Sequence, residues 1–246
     1  MKLPYNIFAA YYDTITRSAQ DERNKMILSI AKNEGVNSIC DFGCGTGLLM
    51  KLFKKNNLNT FGCDLSDKMI EIAKINTLIQ DDRILSVEDM TTYKPPQLVD
   101  IATCNYDSIN YLLNEKLWKK YFLNVYSILN DNGQFIFDFV TLYDIRKCWP
   151  GYKQYHENEH WALLRIAEYD RSNDIGIEWF NWHIYQDGVW IQDTEKYQHA
   201  SLEKETVRDL LLSAGFASVD MTDADSGAEI FDNETTRIEV RAYKKG

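Results

Sequence analysis

The chain has 246 residues, with 27 Lys plus Arg against 37 Asp plus Glu and a formal net charge of −10. An acidic chain lacks the long-range attraction on which phosphate-backbone binding depends, so nucleic acid is not the expected partner, although a local basic patch is compatible with that balance. With 45% hydrophobic and 13% aromatic residues it is too apolar for disorder, and its length suits one domain, 1–246, carrying a sizeable insertion.

The N-terminal stretch MKLPYNIFAAYYDTITRS has no continuous apolar run before small residues and is interrupted by Asp13, so it does not read as a signal peptide. SICDF (38–42) is a short apolar run entering a Gly-rich turn, and Leu48 to Lys55 after it is helical. TFGCDL (60–65) is the second strand. Ser66 is a helix N-cap before SDKMIEIAKINTLI, where Ile70, Ala73 and Ile79, with Ile72 and Ile75, give a 3.6-residue period. ILSV (84–87) and VDIATCNY (99–106) are strands three and four. Leu112 to Leu129 is a helix closed by Asn130-Asp131-Asn132-Gly133, and QFIFDFV (134–140) is strand five. Near-continuous apolar strands alternating with helices predict a parallel sheet covered on both faces.

From about Trp149 to Ala200 the pattern becomes strand-like and turn-punctuated. HWALLRIAEYD, IGIEWFNWHIYQ and VWIQDTEKYQHA are separated by Asn173-Asp174 and by Asp187-Gly188, the latter a hairpin signal. Five of the six tryptophans and all four histidines lie here, so 149–200 is expected to be an inserted antiparallel β cap on the substrate side. LEKETVRDLLLSAGF returns to a helix ending near Gly215, and ASVDMT and TRIEVRAYK form a terminal hairpin. No run of about 18 apolar residues exists to span a membrane. The five cysteines are odd in number and form no C-x-x-C pair, which fits reduced thiols and a soluble protein of the cytoplasm.

The chemistry begins in DFGCGTG, Asp41 to Gly47. A Gly-rich turn between a strand and its helix lets backbone approach a ligand, and the next helix aims free N–H groups at it. A dinucleotide fingerprint wants G-x-G-x-x-G, but counting from Gly43 gives Gly45 and then Leu48 in place of the third glycine. Asp41-Phe42-Gly43-Cys44-Gly45-Thr46-Gly47 resembles the first motif of class I S-adenosylmethionine-dependent methyltransferases, an acidic residue followed by G-x-G-x-G. Asp64-Leu65 ends strand two, 17 residues past Gly47 in the case of Asp64, where that family places an acid on the ribose hydroxyls. A carboxylate suits a vicinal diol because it can accept two hydrogen bonds. Asp89-Met90 matches the family's adenine-reading position, and Cys104-Asn105-Tyr106 matches the segment along the methionine part that faces the substrate.

The stretch Tyr5 to Asp13 resembles small-molecule methyltransferases of the methyltransferase-domain 11/25 type, in which an aromatic N-terminal segment folds over the cofactor. The resemblance implies that Tyr5 and Tyr12 close the site, where aromatic faces favour a sulfonium cation; the alternative is that Phe8, Tyr11 and Tyr12 are a buried helix stripe. It also implies a Rossmann-like seven-stranded sheet of order 3-2-1-4-5-7-6 with strand seven antiparallel, S-adenosylmethionine as cofactor, and transfer of a methyl group to a small-molecule nitrogen or oxygen by in-line displacement. Some related amino-sugar N-methyltransferases have a histidine after strand four, where this chain has Tyr111. Candidate catalytic residues are therefore Tyr106, Tyr111 or His183, each with an alternative as ordinary packing.

No metal is expected. Cys40, Cys44, Cys63 and Cys104 fall near strand ends but without ligand spacing, and read as small buried fillers. His156-Glu157-Asn158-Glu159-His160 satisfies H-E-x-x-H, yet it runs into a strand rather than lying on the helix that zinc binding needs. An Asn-Pro-Pro-Tyr-like segment and a Pro-Cys dipeptide are both absent, in line with the charge argument against nucleobase substrates. An acidic chain with an aromatic cap suits a compact amine better than a phosphate. The competing readings are an NAD-dependent oxidoreductase and a noncatalytic module that binds S-adenosylmethionine; oligomeric state stays open.

Overall fold

The computed structural model describes residues 5–229 and 234–246, with the backbone alone at 17–20. After a 3-10 turn at Phe8–Ala10 the elements run α1 (Tyr12–Asn33), β1 (Ser38–Phe42), α2 (Leu48–Lys55), β2 (Asn59–Asp64), α3 (Asp67–Thr77), β3 (Leu85–Val87) and β4 (Val99–Cys104). A second 3-10 turn, Ser108–Tyr111, leads to α4 (Glu115–Ile128) and β5 (Leu129–Val140), then β6 (Lys153–Glu157), β7 (Trp161–Asp170), β8 (Ile175–Gln186) and β9 (Val189–His199). The chain closes with α5 (Lys204–Ala214), β10 (Ser218–Asp223) and β11 (Arg237–Tyr243).

The seven-stranded sheet has the order β10-β11-β5-β4-β1-β2-β3. Strands β1 to β5 pair in parallel, and β11 runs antiparallel to both β5 and β10. This is the expected 3-2-1-4-5-7-6 arrangement. The direction of winding reverses between β1 and β4, the topological switch point where doubly wound sheets open a ligand crevice.

The pleat of the strands builds two apolar layers. Ile39, Ile101 and Ile136 face Ile27 and Ala31 of α1 and Leu49 and Phe53 of α2, whereas Cys40, Phe42, Phe135, Phe137 and Phe139 face α4 and α5. Phe135, Phe137 and Phe139 are fully buried among Trp118, Tyr121 and Phe122 of α4, and each such side chain contributes about 1.5 to 3 kcal/mol of burial energy. Ser66 caps α3 by accepting from the Met69 amide at 3.2 Å, and Gly215, at φ 115°, ends α5 in the left-handed conformation.

Two boundaries differ from the sequence reading. The helix expected over 112–129 starts only at Glu115, where Asn114 accepts from the Leu117 amide at 3.1 Å, because residues 108–111 tighten into the 3-10 turn. The segment 130–133, expected as a closing loop, belongs to β5 and meets β4 through a register shift.

Strands β6 to β9 form a separate four-stranded antiparallel sheet. Asp187 and Gly188 both have positive φ, the backbone of a tight two-residue hairpin turn. One face of this sheet presents Trp161, Leu163, Phe180, Trp182 and Tyr197 to Phe8, with Tyr5, Tyr11 and Tyr12 packed alongside. Buried Glu195 ties the two parts: it accepts from the amides of Ile7 (2.9 Å) and Phe8 (3.1 Å) and from the Trp182 indole (3.0 Å). Among the described residues no helix is long and apolar enough to cross a membrane.

Candidate functional site

The crevice at the switch point is lined by Gly43, Cys44, Gly45 and Thr46 from the turn after β1, by Asn105 and Tyr106 after β4, by Tyr12 and Asn24 of α1, and by Asp41. Gly43 has φ 66°, and a Cβ there would stand 3.0 Å from the Ser108 side chain. Gly47, at φ 74°, brings α2 against α3, where a Cβ would meet Ala73 at 3.0 Å. The close helix contact that a dinucleotide fingerprint assigns to its third glycine is thus made one residue earlier. Two carboxylates meet the turn. Asp64 accepts from the Gly45 amide at 3.0 Å and the Ser66 amide at 2.8 Å, and Asp41 accepts from Thr103 (2.7 Å) and Asn105 (3.4 Å).

Burial drives the Asp41 carboxyl up to about 7, against the opposing hydrogen bonds from Thr103 and Asn105 and with help from the Asp64 charge. Asp64 is raised for the same first reason, burial, opposed by its backbone hydrogen bonds. The lining residues include no Lys or Arg. A cation therefore relieves this crevice electrostatically, while a pyrophosphate would be set against Asp41.

Helix α1 closes the crevice from the side. Thr46 donates to Asp13 at 2.6 Å, fixing the turn to the first turn of the helix. Further along α1, Arg23 donates to Asn105 (2.7 Å) and Glu239 (2.9 Å) and pairs with Asp138 at 3.1 Å. Asp138, a buried acid within the apolar strand β5, accepts from two consecutive amides, Tyr106 at 2.8 Å and Asp107 at 3.0 Å, and also pairs with Arg237. Tyr106 and Asp107 are both left-handed, φ 56° and 51°, a strained conformation for non-glycine residues. One carboxylate with two guanidiniums behind it holds that strain. Burial pushes the Asp138 carboxyl up, but the Arg23 and Arg237 charges more than reverse this and hold it below the ordinary value.

The sequence-predicted residues divide into groups. Tyr12, Asp41, Gly43, Cys44, Gly45, Asn105 and Tyr106 come together around the crevice, and Asp64 joins them through Gly45. Tyr5 stacks on Tyr197 at 4.9 Å, lies edge-on to Tyr12 at 6.3 Å and shares a hydroxyl–hydroxyl bond with Tyr111. The aromatic stripe is thus both packed core and wall. Leu65 is exposed, Met90 packs against the core, and Cys104 is fully buried in it. Asp89 is exposed and accepts from the Thr91 amide at 2.7 Å, which organises the turn after β3. His183 stands on the outer face of the cap beside Gln192, at 2.7 Å, away from the crevice.

Burial raises the Tyr12, Tyr106 and Tyr111 hydroxyls far above the ordinary phenol. These side chains therefore remain neutral donors rather than proton acceptors near neutral pH. All five thiols are free, four of them buried, and among the described residues no group of acids, thiols and imidazoles has metal-site geometry. His156 sits on β6 and His160 in the turn after it, so H-E-x-x-H forms no zinc face. Sequence reasoning missed Arg23, Asn24, Asp107, Asp138 and Arg237. Only the acid inside QFIFDFV was a visible signal, since a charge amid buried apolar residues needs a partner.

Residues 9–219 match the protein family described as "Methyltransferase domain". A protein of Geobacillus sp. (strain WCH70) named as a methyltransferase is 31% identical over 229 residues, 89% of this chain and 92% of its own. Among solved structures, an S-adenosylmethionine-dependent methyltransferase from Clostridium acetobutylicum superposes with a TM-score of 0.82 at 21% identity, covering 98% of this chain and 99% of that one. The amino pentose methyltransferase CalS10 from Micromonospora echinaspora, solved with S-adenosylmethionine bound, gives 0.72 at 16% identity, with 98% of each chain covered.

Proposed function

The chain belongs to the methyltransferase-domain family, so its activity is methyl transfer from S-adenosylmethionine, and we propose that the methyl goes to a nitrogen or oxygen atom of a small molecule held between the crevice and the β-rich cap. The observation that carries this reading is an acidic, Gly-rich crevice at the switch point, walled by tyrosines and lined without a basic side chain. When bound, the cofactor supplies a methyl group on a cationic sulfur, ready for in-line displacement. In this reading the amides of Gly43 to Gly45 and the carboxylates of Asp41 and Asp64 bind it, Asp64 taking the ribose hydroxyls. Asp89 and Met90 take the adenine, and Asn105, directly after the core-buried Cys104, flanks the methionine part.

Tyr5 and Tyr12 exclude water and offer aromatic faces to positive charge, an attraction of about 0.5 to 2 kcal/mol. Holding the acceptor in line can supply several kcal/mol more. The cap, 149–200 in sequence, encloses the acceptor in one domain with the crevice. An enclosed aromatic wall and a net charge of −10 favour a compact molecule over nucleic acid. The CalS10 likeness supports an amine on such a molecule, and four buried free thiols suit the reducing cytoplasm.

The test is calorimetric titration of the purified protein with S-adenosylmethionine, S-adenosylhomocysteine, NAD and NADP in parallel. Micromolar binding of the first two and of neither dinucleotide is expected. Binding of a dinucleotide alone overturns the reading.

A further inference from the structure

Of the four histidines only His199, the last residue of β9, is buried, at 1% exposure. Its Nε2 lies 3.2 Å from Glu178 Oε2 and its Nδ1 3.8 Å from Asp107 Oδ2, yet neither nitrogen has an aligned hydrogen-bond partner. Both carboxylates already own a guanidinium. Arg165 Nε donates to Glu178 at 2.7 Å, and Arg237 donates to Asp107 at 2.7 Å. Burial pushes the Glu178 carboxyl up, and the His199 ring and Arg165 more than reverse this, holding it at about 2. Packing alone accounts poorly for such an arrangement, because a buried imidazole without aligned partners costs free energy that an apolar ring of similar size would not.

The place of His199 ties it to the crevice. Its ring packs on Tyr111 at 4.5 Å and Trp149 at 5.1 Å. Tyr111 bonds Tyr5, Tyr5 abuts Tyr12, and Tyr12 lines the crevice. Asp107 directly follows Tyr106, another lining residue. Every phenol along this path is held neutral by burial, and the two carboxylates beside the ring are already bonded to Arg165 and Arg237, which leaves the imidazole as the unbonded group on it to take a proton.

We infer that His199 is the proton-accepting residue for a protonated amine acceptor, reached when the Tyr5–Tyr111 pair parts, with Glu178 and Asp107 flanking the ring on either side. This rests on the methyl-transfer reading above. The ammonium N–H proton passes to a ring nitrogen of His199, and the bonding electron pair stays on the amine as the lone pair that attacks. The imidazolium formed lies between two carboxylates and returns its proton to water after product leaves. The groups facing the ring are Asp107 after β4, Tyr111 of the 3-10 turn and Glu178 of β8, with Arg165 of β7 and Arg237 of β11 behind the acids.

The experiment follows ring-nitrogen NMR signals of 15N-histidine-labelled protein, saturated with S-adenosylhomocysteine, from pH 5 to 9, using H199N for assignment. His199 is expected to gain and lose one proton reversibly in the folded protein. E178Q and D107N are each expected to move that titration to lower pH, since each removes charge that favours imidazolium. A His199 signal fixed in one protonation state, or one that E178Q leaves unmoved, overturns the inference. Calorimetry keeps the two readings apart: H199N binding S-adenosylhomocysteine like wild type shows a folded cofactor site, whereas wild type failing to bind it sinks the methyl-transfer reading itself. A second arm offers tritiated S-adenosylmethionine and a pool of amino sugars and diamines. For any amine methylated, H199N is expected to lose 100-fold or more at pH 7 and recover most of it at pH 9.5, where the amine loses its proton to water; equal loss at both pH values overturns the role.

Discussion

Replacing Asp138 by Asn tests whether one buried carboxylate holds the crevice-facing end of β4 in place. The change keeps the shape of the side chain and removes its charge, leaving Arg23 and Arg237 facing a neutral amide. Breaking a buried pair by removing one partner costs about 3 to 5 kcal/mol. The Asn oxygen can still accept one of the Tyr106 and Asp107 amides but not both, which adds about 1 kcal/mol. Arg237, with its side chain 32% exposed, can swing toward water, so the lower end of a total of about 4 to 6 kcal/mol is expected. Against a typical stability of about 5 to 15 kcal/mol this is a large share.

For a chain of this size it corresponds to a melting temperature lower by roughly 10 to 20 °C. The native Asp138 value is depressed, so its contribution is complete above the unfolded carboxylate value of about 4 and disappears as pH falls through the lower folded value. The gap between wild type and D138N should therefore be full at pH 7 and narrow in strong acid. Thermal melts across pH, with S-adenosylhomocysteine calorimetry on the folded fraction, check this. A drop below about 3 °C at pH 7 with unchanged cofactor affinity would refute the reasoning, because Tyr106 and Asp107 would then hold their left-handed backbone unaided.

Asp64→Ala removes the acceptor for the Gly45 and Ser66 amides as well as the carboxylate assigned to the ribose, and should weaken S-adenosylmethionine binding by about 1 to 3 kcal/mol, roughly 5- to 150-fold by calorimetry. Because Asp41 is raised to about 7, the native state holds its proton more tightly than the unfolded chain between the ordinary value and 7. Stability of the cofactor-free protein should fall as pH rises across that window, and Asp41→Asn should flatten the fall in melts at pH 5 and 8; parallel curves for the two proteins would count against it. Glu195→Ala leaves the Ile7 and Phe8 amides and the Trp182 indole unpaired, with a cost of about 2 to 3 kcal/mol. Limited proteolysis should then cut the segment before α1 faster, and an unchanged cleavage rate would show that aromatic packing alone holds it.

Much of this molecule is written locally. SICDF, TFGCDL and VDIATCNY are short apolar runs bounded by turn chemistry, so their strand identity follows from neighbours a few residues away, and β1, β2 and β4 lie within two residues of those limits. Ser66, Gly215 and Asp187-Gly188 act through their own backbone geometry and were legible for the same reason. The G-x-G-x-G turn, with Asp64 17 residues past Gly47, was legible through its resemblance to a family motif, which implied a cofactor site at that turn. The start of α4 and the extent of β5 were less legible, since a 3-10 turn and a register shift depend on what the segment packs against.

The partners of the buried charges belong to tertiary structure alone. Asp138, Arg23, Arg237 and Asp107 come from four separate parts of the chain, and no local pattern says which acid will meet which guanidinium. His199 and His183 stand in the same aromatic segment and look alike in sequence. The difference of one sheet face decides that the first is buried between two carboxylates while the second faces solvent beside Gln192. The sequence by itself determined the alternating strands and helices and the Gly-rich turn, because these rest on short-range spacing, while the strand order and the cofactor class came from the motifs' resemblance to a known family. The tertiary structure decided which charged and titratable groups stand together, because pairings across tens to hundreds of residues exist only once the chain has folded.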